Sequence, residues 1–315
     1  MNRTLVVAAL ATLVSATALA QSSVTIYGRL NLSVERQDNN GAKSTVLQNN
    51  ASRLGFTGSE DLGGGLRAGF ALEHGFNPDT GTAAESFWGR QSEVNLSGGF
   101  GRLRLGTFTS EAYYATSDYT GLHNHETGTS SDALYAYVGR NTNKIAYRTP
   151  EFIKGLSLEG AVSAGEGRLC GTTTCARSYD FAANYSIGAL HLGAGYEKNG
   201  AAKQFAVSAL YDVGALIFGG MVQRDSEAYG PGNRTNVRGA VAYIFGLNEL
   251  HLNVGVANDY SKLNDSGAKQ YTVGYNYNLS KRTKVYAFYT KVDAERFTPY
   301  ASDFSSLAAG VRHNF

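Results

Sequence analysis

The 315-residue chain has only 4 prolines, 2 cysteines, 2 methionines and 1 tryptophan, and no run of 18 consecutive apolar residues. It also lacks an excess of one charge, with 28 Lys and Arg against 26 Asp and Glu. Without a long apolar run, no segment can cross a bilayer as a helix. Without a basic surplus there is no broad positive field for a phosphate backbone, so no nucleic-acid partner is expected. Scarce proline leaves the chain free to enter β-sheet, where a missing N–H would break a ladder.

What is abundant points the same way. The chain holds 38 Gly, 20 Tyr and 15 Phe, a mixture of strand-forming aromatics and tight-turn glycines that suits an all-β architecture. The first 20 residues read as a cleaved signal peptide. Arg3 supplies the basic start, Leu5 to Val14 the apolar core and Ala18-Leu19-Ala20 the small-residue cleavage site. Residues 21–315 are then expected to form one domain.

From Ser22 onward the chain repeats one unit: roughly nine to twelve residues of alternating character, a short Gly, Asn or Asp turn, another such stretch and a longer polar loop. The tail "SLAAGVRHNF" shows the alternation, with Leu307, Ala309, Val311, His313 and Phe315 on one parity and Ala308, Gly310, Arg312 and Asn314 on the other. Sixteen strands are predicted, near 24–36, 50–57, 66–75, 86–97, 102–108, 140–149, 156–165, 177–187, 190–199, 203–213, 215–225, 235–245, 249–260, 269–280, 283–294 and 304–315. Every second connection is short, and the intervening ones are mostly longer. That asymmetry fits a transmembrane antiparallel up-and-down β-barrel with short periplasmic turns and long external loops. A large secreted β-sandwich would also alternate, but with less regular spacing and more edge proline. In a barrel the apolar parity faces lipid. Leu66, Phe70, Leu72, Leu103 and Leu105 should therefore point out, and Arg67, Glu73, Arg102 and Arg104 in. Sixteen strands enclose more space than side chains fill, so an aqueous channel is expected.

At "SRLGFTGSEDLGGGLRAGFALEHGFN", "FWGRQSEVNLSGGFGRLRLG", "NTNKIAYRTPEFIKG" and "GVRHNF" the chain resembles the trimeric general porins of Gram-negative bacteria, over essentially its whole length after the leader. The resemblance implies a bacterial outer-membrane homotrimer that passes small hydrophilic solutes and ions without cofactor, metal or turnover. It implies a third external loop, about Thr109 to Gly139, folded into the lumen with Glu111, Asp118, Glu126 and Asp132 at the constriction. A basic cluster of Arg53, Arg90 and Arg140 would face it, with Arg104, Arg67 and Arg148 as further lumenal cations. The family pattern usually has an Arg where this chain has Thr107, and Arg104 would partly replace it. Phe315 would belong to the signal read by the barrel-insertion machinery. Parity independently sets Arg53 against Leu54 and Phe56, and Arg140 on the face of Lys144 and Arg148. Arg90 shares parity with Val94 and Leu96, so an inward Arg90 requires a bulge between Arg90 and Val94 or a subunit-facing Glu93.

Lumenal basic candidates outnumber the acids that parity places inside, which favours weak anion selectivity. Cys170 and Cys175 in "CGTTTC" are expected to close a small disulfide ring in an oxidising compartment. A zinc site there would need two more ligands, and none occur in that loop. His123, His125 and Glu126 read as solvated loop residues rather than metal ligands. Two other functions compete: a substrate-specific channel, to which Tyr113, Tyr114 and Tyr119 would contribute, and a β-barrel hydrolase. For the hydrolase, no nucleophile, base and oxyanion arrangement is visible, so an enzyme is not expected.

Overall fold

The computed structural model describes residues 23–118, 132–166, 169–170, 173–174 and 176–315. Residues 1–22, which include the expected signal peptide, lie outside the described part, as do Tyr119, His123, His125, Glu126, Cys175 and the side chain of Cys170. In chain order the strands are β1 (Ser23–Asn39), β2 (Ala42–Asn49), β3 (Arg53–Gly63), β4 (Leu66–Asn77), β5 (Thr82–Ala83), β6 (Gln91–Gly98), β7 (Gly101–Thr107), β8 (Lys144–Arg148), β9 (Leu156–Ser163) and β10 (Leu169–Cys170). They continue with β11 (Thr173–Thr174), β12 (Ser178–Ile187), β13 (Leu190–Asn199), β14 (Ala202–Val213), β15 (Leu216–Ser226), β16 (Asn233–Phe245), β17 (Asn248–Ala257), β18 (Ala268–Asn278), β19 (Thr283–Ala294) and β20 (Phe304–Asn314). A short helix α1 (Glu111–Tyr113) runs into a π-helical turn at Tyr114–Asp118.

Strands β10 and β11 pair only with each other, and the other 18 form one antiparallel sheet. The sheet closes where β1 meets β20, from Arg29 opposite Asn314 to Asn39 opposite Phe304. Closure leaves no edge for other chains to pair with. The barrel has sixteen strand positions, because β2 and β3 lie end to end along β1 and the two-residue β5 only extends the ladder of β4. The terminal Phe315 accepts from Gly28 N at 3.0 Å and donates back to Gly28 O at 3.1 Å, extending the seam. Its ring occupies the space over Gly28, where an added Cβ would lie 2.3 Å from it.

The strand predictions fail in detail at the first hairpin, where residues 37–49 read as a loop. Instead, β1 runs to Asn39 and turns at Asn40-Gly41, whose φ of 50° and 86° suit a two-residue hairpin. Asp38 Oδ1 accepts from Gly41 N at 2.8 Å, fastening that turn. The segment after it lacks the apolar alternation that marks lipid-facing strands, so periodicity did not reveal it. Between β2 and β3 the ladder is interrupted at Ala51, with φ 59°. There Asn31 N donates to Ser52 Oγ at 3.0 Å, and Asn31 Nδ2 to Asn50 O at 3.1 Å. Glycine serves the opposite turns for a different reason. Gly188, Gly214 and Gly246 have φ of 58°, 61° and 60° with nothing near a Cβ, so only the left-handed backbone requires them.

The wall is polar within and apolar without. On β1, Asn31, Ser33 and Glu35 are buried, whereas Leu30 and Val34, of the opposite parity, are exposed. On β16, Arg234, Asn236 and Arg238 are buried while Val237 faces out. An exposed apolar band of this kind requires a hydrocarbon solvent around it.

Candidate functional site

Neighbouring strands carry their charges in register. Arg102 on β7 stands opposite Arg148 on β8, Arg148 opposite Glu159 on β9, and Glu93 on β6 opposite Gly106. Two arginines directly opposed would repel, and the glutamates offset this. Arg102 Nη2 lies 3.0 Å from Glu93 Oε1, and Arg104 Nη2 2.6 Å from Glu93 Oε2. Arg104 Nη1 reaches Glu159 at 3.4 Å, and Arg148 Nε reaches it at 2.8 Å. The Arg104 guanidinium also sits 3.9 Å above the centre of the Phe108 ring. A second group forms round Glu73 on β4, which takes Arg90 Nε at 2.5 Å and Arg53 Nε at 3.6 Å.

These two groups border one cavity of about 530 Å³. Arg53, Arg90, Arg102, Arg104 and Arg148 line it, together with Glu73, Glu111, Asp118, Tyr114 and Phe108. Glu111 comes from the long connection between β7 and β8. Its Oε2 lies 2.6 Å from Arg148 Nη2, and its Oε1 accepts from Asn184 Nδ2 at 3.0 Å. Burial pushes the Glu111 carboxyl above its usual range, with Arg148 opposing and Glu159 adding to the rise. Burial likewise raises the hydroxyls of Tyr113 and Tyr135, which keeps them neutral hydrogen-bonding groups.

The described residues of that connection bind side chains of the wall's buried parity. Ser208 Oγ donates to Ala115 O at 2.7 Å, and Arg238 Nη2 to Ser117 O at 3.0 Å. Gln223 grips both polar groups of Ala136, accepting from its N at 2.8 Å and donating to its O at 3.1 Å. Arg234 Nη2 and Asn236 Nδ2 both donate to Leu134 O at 3.0 Å. Gly193 and Gly195 make room for α1 and the turn after it. A Cβ on Gly193 would fall 2.1 Å from Ala115 O, and one on Gly195 2.7 Å from Ala112 O.

Of the sequence-predicted residues, the structure brings Arg53, Arg90, Arg104, Arg148, Glu111 and Asp118 to this cavity. Arg90 needs no bulge, because β6 begins at Gln91 and the parity argument does not reach it. Arg67 stands exposed on β4 and is not among the cavity's described lining residues. Arg140 precedes β8, donates to Ala164 O at 3.3 Å and is not among them either. Its face-mate Lys144 is buried against Asp180 at 2.9 Å. The wall glutamate Glu159 was not singled out from sequence, and Glu93, which the sequence allows as a subunit-facing residue, is instead buried and paired with Arg102 and Arg104. The inward parity of the two glutamates, each across one ladder rung from an arginine-bearing strand, was the available signal.

A sequence profile described as Gram-negative porin matches residues 5–296. Outer membrane porin protein 32 of Delftia acidovorans is 32% identical, with 96% of each chain covered. Major outer membrane protein P.IB of Neisseria meningitidis serogroup B is 27% identical over 96% of this chain and 98% of its own. Among solved structures, an anion-selective porin from Comamonas acidovorans superimposes with a TM-score of 0.78 at 27% identity, covering 94% of this chain and all of that one. OmpF of Salmonella typhi, at 16% identity and a TM-score of 0.78, shares the fold. With a sixteen-position closed barrel, an apolar exterior, an arginine-rich interior cavity and these relatives, the chain belongs to the Gram-negative porin family.

Proposed function

We propose that this outer-membrane porin carries small hydrophilic solutes and ions by passive diffusion through a constriction formed where the loop between β7 and β8 stands in the lumen, with a weak preference for anions. The observation that carries the reading is the lining of the 530 Å³ cavity, where five arginines meet three carboxylates. Guanidinium groups stay charged across physiological pH, so the field does not vanish with small pH changes. Glu93 and Glu159 lie behind the arginines with side chains 0% and 1% exposed, so a passing ion meets the cations first. The Comamonas acidovorans relative, an anion-selective porin, agrees with this sign. We further read the assembly as a homotrimer and Phe315 as part of the signal read by the insertion machinery, on family resemblance.

The test is single-channel recording of the purified protein in a planar bilayer under a salt gradient. The reading expects conductance in three equal sublevels and a reversal potential of anion-selective sign. A reversal potential of cation-selective sign would overturn the anion preference, and an inserted barrel without conductance would overturn the open channel.

A further inference from the structure

Three successive inward positions of β13 are Gly193, Gly195 and Glu197, and all three meet the loop between β7 and β8. We propose that Glu197 is a positioning residue, a clasp that holds both limbs of this loop and thereby sets the aperture of the channel; the proposal rests on the loop standing in the lumen. On the outgoing limb, Ser110 Oγ donates to Glu197 Oε1 at 2.5 Å, and the same hydroxyl accepts from Tyr113 N at 3.2 Å as the cap of α1. On the returning limb, Val138 N and Gly139 N donate to Glu197 Oε2 at 3.2 and 3.1 Å. Gln204 Nε2 on the next strand donates to that oxygen at 3.2 Å, orienting the carboxylate from behind.

A carboxylate suits this place because it is acceptor-only and offers about four lone-pair directions, enough to take donors from two limbs at once. Glu197 is 2% exposed and all four donors are neutral, so its geometry is set by hydrogen bonds from the loop and one neighbour. Gly139 is the complement: a Cβ there would lie 2.4 Å from Glu197 Oε1, so a larger residue would push the carboxylate off its hydrogen-bonded position. Gly193 and Gly195 provide the seat for the outgoing limb and Glu197 the fastening, on one face of one strand.

The test combines Glu197→Ala, Glu197→Gln and Gly139→Ala with the double variant of the two alanines, each first checked for barrel formation by heat-modifiable gel mobility. Single-channel recording should show loop-related current transitions about tenfold more frequent in Glu197→Ala, equivalent to about 1.4 kcal/mol of anchoring. Liposome swelling should show faster entry of larger sugars. Glu197→Gln, which keeps an acceptor oxygen, should recover part of the native behaviour. Gly139→Ala should match Glu197→Ala in the native background yet add nothing to it, because the clash partner is gone. Native currents in Glu197→Ala, or an additive effect in the double variant, would overturn the clasp. Thr109→Cys, at the cavity rim, separates the two readings when a bulky thiol reagent is applied, with the unsubstituted protein as control. A fall in conductance supports a loop in the lumen whatever Glu197 does. If conductance does not fall, the lumenal loop is overturned, and the clasp with it.

Discussion

Single residues at the cavity differ by burial, and burial predicts what each substitution does. Arg104 has a side chain 10% exposed and bridges two buried glutamates. Removing one partner of a buried pair typically costs 3–5 kcal/mol. Arg104→Met should destabilise the barrel by about 3 kcal/mol, at the lower end because Arg102 and Arg148 each still hold one glutamate. Urea unfolding of the reconstituted barrel measures this. Arg90 has a side chain 37% exposed, so Arg90→Ala should cost under about 1 kcal/mol while moving the reversal potential toward cations. Glu111 supplies a pH effect whose sign follows from its environment. Because burial raises its pKa, it takes up a proton at a higher pH than a free Glu and the lining loses one negative charge. Anion preference should therefore grow as pH falls, starting at a higher pH than the titration of a free glutamate would give. In Glu111→Gln it should already be higher at neutral pH and rise less, which reversal potentials across a pH series would show.

Among the elements, the two kinds of connection separate backbone requirements from packing requirements. Gly41 has φ 86° and nothing within 4 Å of a Cβ, so Gly41→Ala tests the left-handed conformation alone. It should lower stability by about 1 kcal/mol without changing conductance, measured by thermal unfolding and single-channel recording. Gly193 is the reverse case. Its φ is ordinary, but the loop backbone occupies the Cβ position. Gly193→Val should leave barrel formation intact and alter conductance by displacing α1. Strand existence was legible wherever one face meets hydrocarbon, as on β13 to β20. The hairpin of β1 and β2 was not, because its outer half is polar on both faces and only Asn40-Gly41 marked it. Arg90 was hard to place because parity was counted through residues that form a turn.

Across the whole molecule, the solvent relations of a soluble protein are inverted, and the outward parity carries its own prediction. Val222 lies mid-strand on β15 and is exposed. Val222→Arg should cost about 2–4 kcal/mol in a lipid bilayer. A change of the neighbouring inward position, Gln223, should instead act on the loop through Ala136. Denaturant unfolding in vesicles measures the first, and single-channel noise the second.

The local chain was enough to specify an all-β protein with about sixteen alternating segments, an apolar exterior and a polar interior. Those properties follow from a period of two and from which side chains hydrocarbon tolerates. The identity of the cavity's inner ring was only partly visible in that pattern. Parity assigns a residue to a face but says nothing about its height along the barrel, and height depends on the register between strands. Register put Arg104 and Arg148 beside Glu93 and Glu159, and left Arg67 and Arg140 outside the described cavity lining. The attachment of the long loop was likewise a tertiary decision. Its partners Glu197, Ser208, Gln223, Arg234 and Arg238 lie on four strands, 58 to 121 residues away in the bonds that hold it. No local periodicity could join them, and only the pairing of the sheet sets those strands where their side chains bond to the loop.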